Sequence, residues 1–302
     1  MRAALTALVA VVAAALAAVA SGAGTVPGAP RCTVLPADNV WNARVDGLPV
    51  AADSAQLVAS IGLGSGLHPD FSDQGRYGIP FNVVTKRTPR SRVRFEYADE
   101  SDRVAYPIPS RPRIEGGGDR HLLMIDRDAC RLYELFAARR TGGRWSAGSG
   151  AVYDLRSNRL RPAGWTSADA AGLPIFPGLA RFDEVRRGAI THALRFTAPR
   201  TRSAYVYPAR HAAGAGNDPS LPPMGLRVRL KASVSLAGFG PQARTVLTAL
   251  KRYGMILADN GSPWYVSGAP NAGWDDDDLH GLGRITGSDF EVVDTRGLRN
   301  GR

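Results

Sequence analysis

Eight short runs rich in β-branched and aromatic residues recur along the chain, each closed by glycine, proline or polar turn residues. They are Phe81–Val84, Arg92–Tyr97, His121–Asp126, Arg131–Phe136, Ala189–Phe196, Ala204–Tyr207, Leu226–Leu230 and Met255–Ala258. Runs this short suit strands, and the 34 glycines and 21 prolines keep most of the intervening sequence from continuing as helix. Strict strand–helix alternation is absent, which argues against a doubly wound α/β sheet. No period of about 20–50 residues repeats, which argues against solenoids and propellers. The expected fold is mainly β: a β-sandwich or jelly-roll-like domain with one or two peripheral helices and long loops. Asp53–Ile61 opens on a capping aspartate, and Pro241–Tyr253 opens on proline and stops at Gly254. Val246, Leu247, Leu250 and Tyr253 fall at helical spacing, so the second helix is expected to lie against the sheet.

Residues 1–20 have the pattern of a signal peptide: Arg2, the apolar run Ala3–Ala17, and a small-residue site at Ala18-Val19-Ala20. Residues 21–31, rich in glycine and proline, then read as a flexible leader, and 32–302 as a single β-rich domain. A secreted, extracellular chain is the expectation, with no membrane span, because no later apolar run approaches the ~20 residues a helix needs to cross a bilayer. Oxidising surroundings favour pairing the two cysteines, Cys32 and Cys130, as one disulfide.

The net charge is +11, and all but Lys86, Lys231 and Lys251 of the 38 basic residues are arginine. They are scattered rather than clustered in the sequence, so a nucleic acid is not the expected partner. A polysaccharide, neutral or anionic, is, and the chain is expected to be a monomer. The sequence contains no G-x-S-x-G elbow, H-E-x-x-H helix or Walker A loop. The Asp275–Asp278 run lacks the spacing of a calcium loop and reads as a solvated turn or helix cap. No metal and no cofactor are expected.

Candidate site residues are the ionisable groups that alternation turns inward. In Arg131–Phe136, Glu134 shares a face with Leu132 and Phe136; in Ala189–Phe196, His192 shares one with Ile190 and Leu194. A buried carboxylate must be paired, protonated or catalytic. Either Glu134 or His192 could equally be a satisfied core residue. His121 joins the face of Glu134 only if the connection between their strands is even in length; a four-residue turn over Arg127–Cys130 would pair Asp126 with Arg131. The expected site is therefore Glu134, His192 and His121, with Arg210, His211, Trp165, Glu184 and Asp259 binding substrate from the long connections Gly62–Pro80, Ala98–Arg120, Ser157–Arg181 and Ala209–Pro223 and from nearby strands.

The stretches DNVWN (38–42), GWTSADAAGLPIFPGL (164–179), RFDEV (181–185), ITHALRF (190–196) and YPARH (207–211) resemble a family of uncharacterised secreted bacterial proteins, over roughly Leu35 to Asp294. The resemblance implies one exported unit and carries no activity. From the residues themselves, the leading expectation is a secreted carbohydrate-active enzyme that cleaves a polysaccharide. A glycoside hydrolase would use Glu134 as acid, with Glu184 or Asp259 opposite. A polysaccharide lyase would use His192 or His121 to abstract a proton, while Arg210 neutralises a uronate. The five tryptophans could offer platforms for sugar rings. The alternative is a non-catalytic envelope or glycan-binding protein, and a peptidase ranks last.

Overall fold

The hairpin of Leu122–Asp126 and Arg131–Leu135 organises the molecule. This is a computed structural model, which describes residues 24–71 and 76–300. The expected signal peptide and residues 21–23 lie outside the described residues. Asp126 pairs with Arg131 across a four-residue connection, so Leu123 stands opposite Glu134. Phe81–Val84 joins in parallel beside Leu122–Asp126, and Gly150–Asp154 joins antiparallel beside Arg131–Leu135. Alternation sends Leu122, Met124, Tyr133 and Leu135 to one face, and Leu123, Ile125 and Leu132 to the other. Both faces are apolar because both are covered.

The first face packs on a second four-stranded sheet, ordered Ala105–Pro107, Arg90–Phe95, Arg144–Ala147, Arg139–Thr141. Tyr106, Val93, Phe95 and Ala147 fill the space between these two sheets. The opposite face looks into the main core, shared with residues 168–180 and with a six-stranded mixed sheet. That sheet runs Phe290–Val292, Arg227–Leu230, Met255–Asn260, Leu194–Ala198, Tyr265–Ser267, His68–Asp70. Helices Ser54–Ile61 and Pro241–Arg252 pack beside its Phe290–Val292 and Arg227–Leu230 strands. The fold is thus mainly β, sandwich-like, with peripheral helices. Val246, Leu247 and Leu250 are buried as their spacing requires.

The Asp275–Asp278 run caps two helices. Asp275 accepts from the Asp278 N–H at 3.1 Å to start Asp276–His280. Asp278 reaches across to accept from Gln242 N–H at 2.7 Å, capping the helix that begins at Pro241.

Three expectations need correction. The described part of the leader is not loose: Thr25–Val26 and Ala29–Thr33 form a hairpin turning at Gly28, with Val26 and Ala29 buried. Cys32 is disulfide-bonded to Cys130, which ties this hairpin to the turn of the central one. Ala189–Phe196 does not begin as a strand; pairing runs over Leu194–Ala198, because residues 189–193 lead in from the short helix Phe182–Arg186. Ala204–Tyr207 makes only an isolated bridge, Tyr205 with Met224.

Candidate active site

Glu134 is held on the main-core face by the register just described and is fully shielded from solvent. Its Oε1 accepts the N–H groups of Ile175 at 3.0 Å and Phe176 at 2.9 Å, and Oε2 also accepts from Ile175 at 3.0 Å. Burial pushes its pKa up to about 7, against the pull of these amides and of His121 and Arg195 nearby. Both oxygens serve the loop backbone, so the carboxyl has no open side for a substrate. The geometry makes Glu134 a loop anchor, not the acid expected from the sequence.

His121 does share the face of Glu134, as a four-residue turn dictates. Its Nδ1 lies 2.5 Å from Glu115 Oε2 and its Nε2 lies 2.9 Å from the Ala168 carbonyl. Carbonyl and carboxylate oxygens only accept, so both ring nitrogens donate. Burial lowers the His121 pKa, but the Glu115 hydrogen bond and charge outweigh it and leave it raised. An imidazolium with both protons committed cannot abstract another, and the base role expected for His121 falls away.

His192 lies elsewhere. Its Nδ1 donates to the Ala193 carbonyl at 2.7 Å and its Nε2 meets Glu184 Oε2 at 3.1 Å. Glu184 Oε1 also takes Arg181 Nη2 at 2.5 Å. Burial pushes Glu184 up, but Arg181 and His192 hold it below the usual carboxylate range. The Phe176 peptide separates this buried trio from Glu134, its carbonyl turned to Arg181 and its N–H to Glu134. The expected convergence of His121, Glu134 and His192 is not formed, and Glu184 is an ion-pair partner inside the core.

The convergence that does form is around Arg195. Alternation sets Arg195 opposite Leu194 and Phe196, yet it is buried, because both faces of this sheet are covered. Nη1 donates to Ser267 Oγ at 2.8 Å. Nη2 stands 3.7 Å from Asp169 Oδ2 and 3.7 Å from Asp259 Oδ2, and Nε and Nη2 have no hydrogen-bond partner. Asp259 reaches this cation through a β-bulge. Phe196 pairs with Leu257 but Thr197 pairs with Asp259, so Ala258 is extra and Asp259 turns to the face of Arg195. Asp169 comes from the 157–181 connection. Its Oδ1 accepts from Ala171 at 2.9 Å and Leu173 at 3.2 Å, while Oδ2 is unpartnered. Burial, opposed by Arg195 and reinforced by Asp259, raises Asp169 to about 7. Burial likewise raises Asp259, with Arg195 and His121 opposing.

Asp169 and Asp259 belong to the wall of a cavity of about 330 Å³ that also includes Glu100, Ser167 and His211, with the rings of Tyr97 and Phe136. That volume falls within the ~300–1,000 Å³ common for small-molecule sites. His211 Nδ1 bonds the Ala170 carbonyl at 2.8 Å and must donate, which leaves Nε2 as the basic nitrogen, 3.9 Å from Glu100 Oε2. Glu100 Oε2 accepts the Thr166 N–H at 2.9 Å. Side-chain exposure separates roles: Glu100 keeps 38%, His211 29% and Asp259 29%, whereas Asp169 keeps 0%. A ligand can touch the first three; Asp169 acts on them from behind.

Arg161 braces this rim. It pairs with Asp102 at 2.6 Å and donates to the carbonyls of Thr166 at 2.8 Å and Glu100 at 2.7 Å. Arg210 donates to the Arg161 carbonyl at 2.8 Å, and Trp165 lies under the Arg161 guanidinium at 5.5 Å. Both expected substrate contacts are thus supports of the rim. Of the tryptophans, Trp41, Trp264 and Trp274 are buried core residues. Among the described residues, no group of three or more His, Cys, Asp or Glu side chains is arranged to hold a metal ion, and no helix is long and apolar enough to cross a membrane.

Sequence reasoning named His211 and Asp259 but missed Glu100, Glu115, Asp169 and Arg195. Two signals pointed at them: Glu100 and Glu115 are among only six glutamates, and Asp169 and Arg195 lie inside the GWTSADAAGLPIFPGL and ITHALRF stretches. No family model, curated protein or solved structure shows significant similarity to the chain.

Proposed function

We propose that the chain is an exported carbohydrate-active enzyme that hydrolyses a glycosidic bond in the Glu100–His211–Asp259 cavity. The observation that carries this reading is the division of titratable groups around one cavity: Asp259, raised by burial and backed by Arg195 and Asp169, and the Glu100–His211 pair on other elements. Glycoside cleavage needs that division, an acid for the leaving oxygen and a second carboxylate to prepare water. Asp259, protonated, donates to the glycosidic oxygen, and Arg195 stabilises the carboxylate that results. Glu100, with His211 beside it, takes a proton from the water that attacks the anomeric carbon. Tyr97 and Phe136 offer apolar faces to sugar rings.

A panel of neutral and anionic polysaccharides, read by reducing ends and by ultraviolet absorbance of unsaturated products, tests the reading. Asp259→Asn should lower hydrolysis by about 10²–10⁴-fold with the fold intact, the range for a lost general acid. Wild-type activity should decline on the alkaline side as Asp259 ionises. A second reading has its own support in the Nε2 of His211, which faces the cavity beside Glu100 while Nδ1 is held by the Ala170 carbonyl. There, His211 abstracts the proton beside a uronate carboxylate, and unsaturated products appear. Binding without any product, unchanged in Asp259→Asn, would leave the glycan-binding alternative.

A further inference from the structure

The outer four-stranded sheet turns its far face to solvent, and that face is built largely of arginine. On Arg90–Phe95, Val93 and Phe95 point into the inter-sheet core, so Arg92 and Arg94 point outward, about 7 Å apart. Trp145 pairs with Val93 and Ser146 with Arg94, which sets Arg144 beside Arg92. Ser146 pairs in turn with Arg139 across the two-residue Gly142–Gly143 turn, both glycines at positive φ. Arg92, Arg94, Arg139 and Arg144 are exposed, and among the described residues none has an ion pair or side-chain hydrogen bond. Arg90, of the same parity, is drawn away to Asp126 at 3.3 Å. Glu96, two residues beyond Arg94, follows on this face.

Like charges at adjacent positions of a sheet repel, so this grid weakens the fold that carries it. The groove beside it, about 870 Å³, includes Arg92, Arg94, Thr141, Arg144 and Ser146, while Trp145, paired with Val93, packs its half-buried ring on the inter-sheet core. We infer that this face binds a linear anionic polysaccharide, with carboxylate or sulfate groups on Arg92, Arg94 and Arg144. Guanidinium groups form forked bonds with such anions, and the net charge of +11 adds long-range attraction. A single-stranded nucleic acid fits less well, since its bases call for successive aromatic platforms and the arginine face offers none. The strand that carries Arg92 and Arg94 runs on to Tyr97 at the cavity, so a chain held here is led toward it. The inference concerns binding alone and does not require hydrolysis.

Titration of the full chain with polygalacturonate, heparin, dextran and poly-uridylate, at low and at near-physiological salt, tests it. Wild type should bind polygalacturonate or heparin, more weakly as salt rises, and leave dextran unbound; the two anionic arms separate carboxylate from sulfate. The triple variant Arg92→Thr, Arg94→Thr, Arg144→Thr should bind at least about tenfold more weakly, while Arg31→Thr, Arg111→Thr, Arg200→Thr, with equal charge loss, changes affinity less than about threefold. On wild type, hydrogen exchange should slow in residues 90–95 and 139–147 when the polysaccharide is added, a readout that stands even if the triple variant fails to fold. Equal loss in both triple variants, tighter binding of poly-uridylate through the same arginines, protection confined to other segments, or no polyanion bound would each overturn the inference.

Discussion

At Glu134 a carboxylate has become part of the backbone's own hydrogen bonding. Oε1 accepts from both Ile175 and Phe176, so Glu134→Gln keeps an acceptor for both N–H groups and loses the titrating proton and the second Ile175 contact made through Oε2. It should fold and retain full turnover. Glu134→Ala leaves two buried N–H groups without an acceptor, at about 1–3 kcal/mol each. Urea denaturation should show a large loss for alanine and a small one for glutamine. Equal destabilisation by the two would mean that the charge, not the acceptor geometry, holds the loop. Asp169 shows the opposite arrangement: one oxygen is satisfied by Ala171 and Leu173, and the other is left facing Arg195. An unsatisfied buried oxygen beside an unsatisfied guanidinium is a polarised pair, suited to tuning Asp259 rather than to holding a loop.

Among the elements, the disulfide and the bulge carry the most weight. Cys32 and Cys130 are separated by 98 residues and join the first hairpin to the turn of the central one. Closing a loop of that length constrains the unfolded chain by about 4–5 kcal/mol in the entropic account. Replacing both cysteines by serine should lower unfolding free energy toward that amount, and limited proteolysis should then cut first near residues 24–33. A denaturation midpoint unchanged by the replacement would show that packing of Val26 and Ala29 alone secures the hairpin. The bulge at Ala258 does a different job. Without the extra residue, Asp259 would fall on the face of Leu257, away from Arg195.

Across the whole molecule, buried carboxyls set the pH response. Glu134 and Asp169 stand at about 7 in the fold, above ordinary values of 4.5 and 3.8. The folded state therefore binds more protons than the unfolded state between about pH 4 and 7, so stability falls as pH rises through that window and levels off above it. At about 1.4 kcal/mol per pKa unit, Glu134 alone contributes on the order of 3 kcal/mol to that fall. Raised His121 acts in the same sense at higher pH: its contribution is complete below 6.5 and disappears as pH rises through its folded value. Glu115 and Glu184, both lowered, act oppositely, giving stability above the ordinary carboxylate range that is lost as pH falls. Melting temperatures measured from pH 4 to 8 should decline between 5 and 7, and Glu134→Gln should flatten the decline. A melting temperature that rises over that interval would contradict the assignment of Glu134 and Asp169 as proton-holding groups.

What the sequence by itself determined was local. Phe81–Val84 and Arg131–Leu135 were legible because apolar side chains recur there at the period of a strand, and that period also marked Glu134 as inward. The helix from Pro241 was legible from its first and last residues. Short polar strands such as Arg139–Thr141 and Tyr265–Ser267 were not, because their conformation comes from their neighbours. Only the tertiary structure decided which residues meet. Alternation separates two faces but does not say whether the second is covered; Arg195, opposite Leu194 and Phe196, is buried as they are. A single extra residue reverses alternation, so the direction of Asp259 waits on its pairing with Thr197. Asp169 and Glu100 lie outside the strands, where no period exists to read; Glu100 is held at the cavity by the distant Thr166 N–H, and Asp169 by the N–H groups of Ala171 and Leu173 in its own loop.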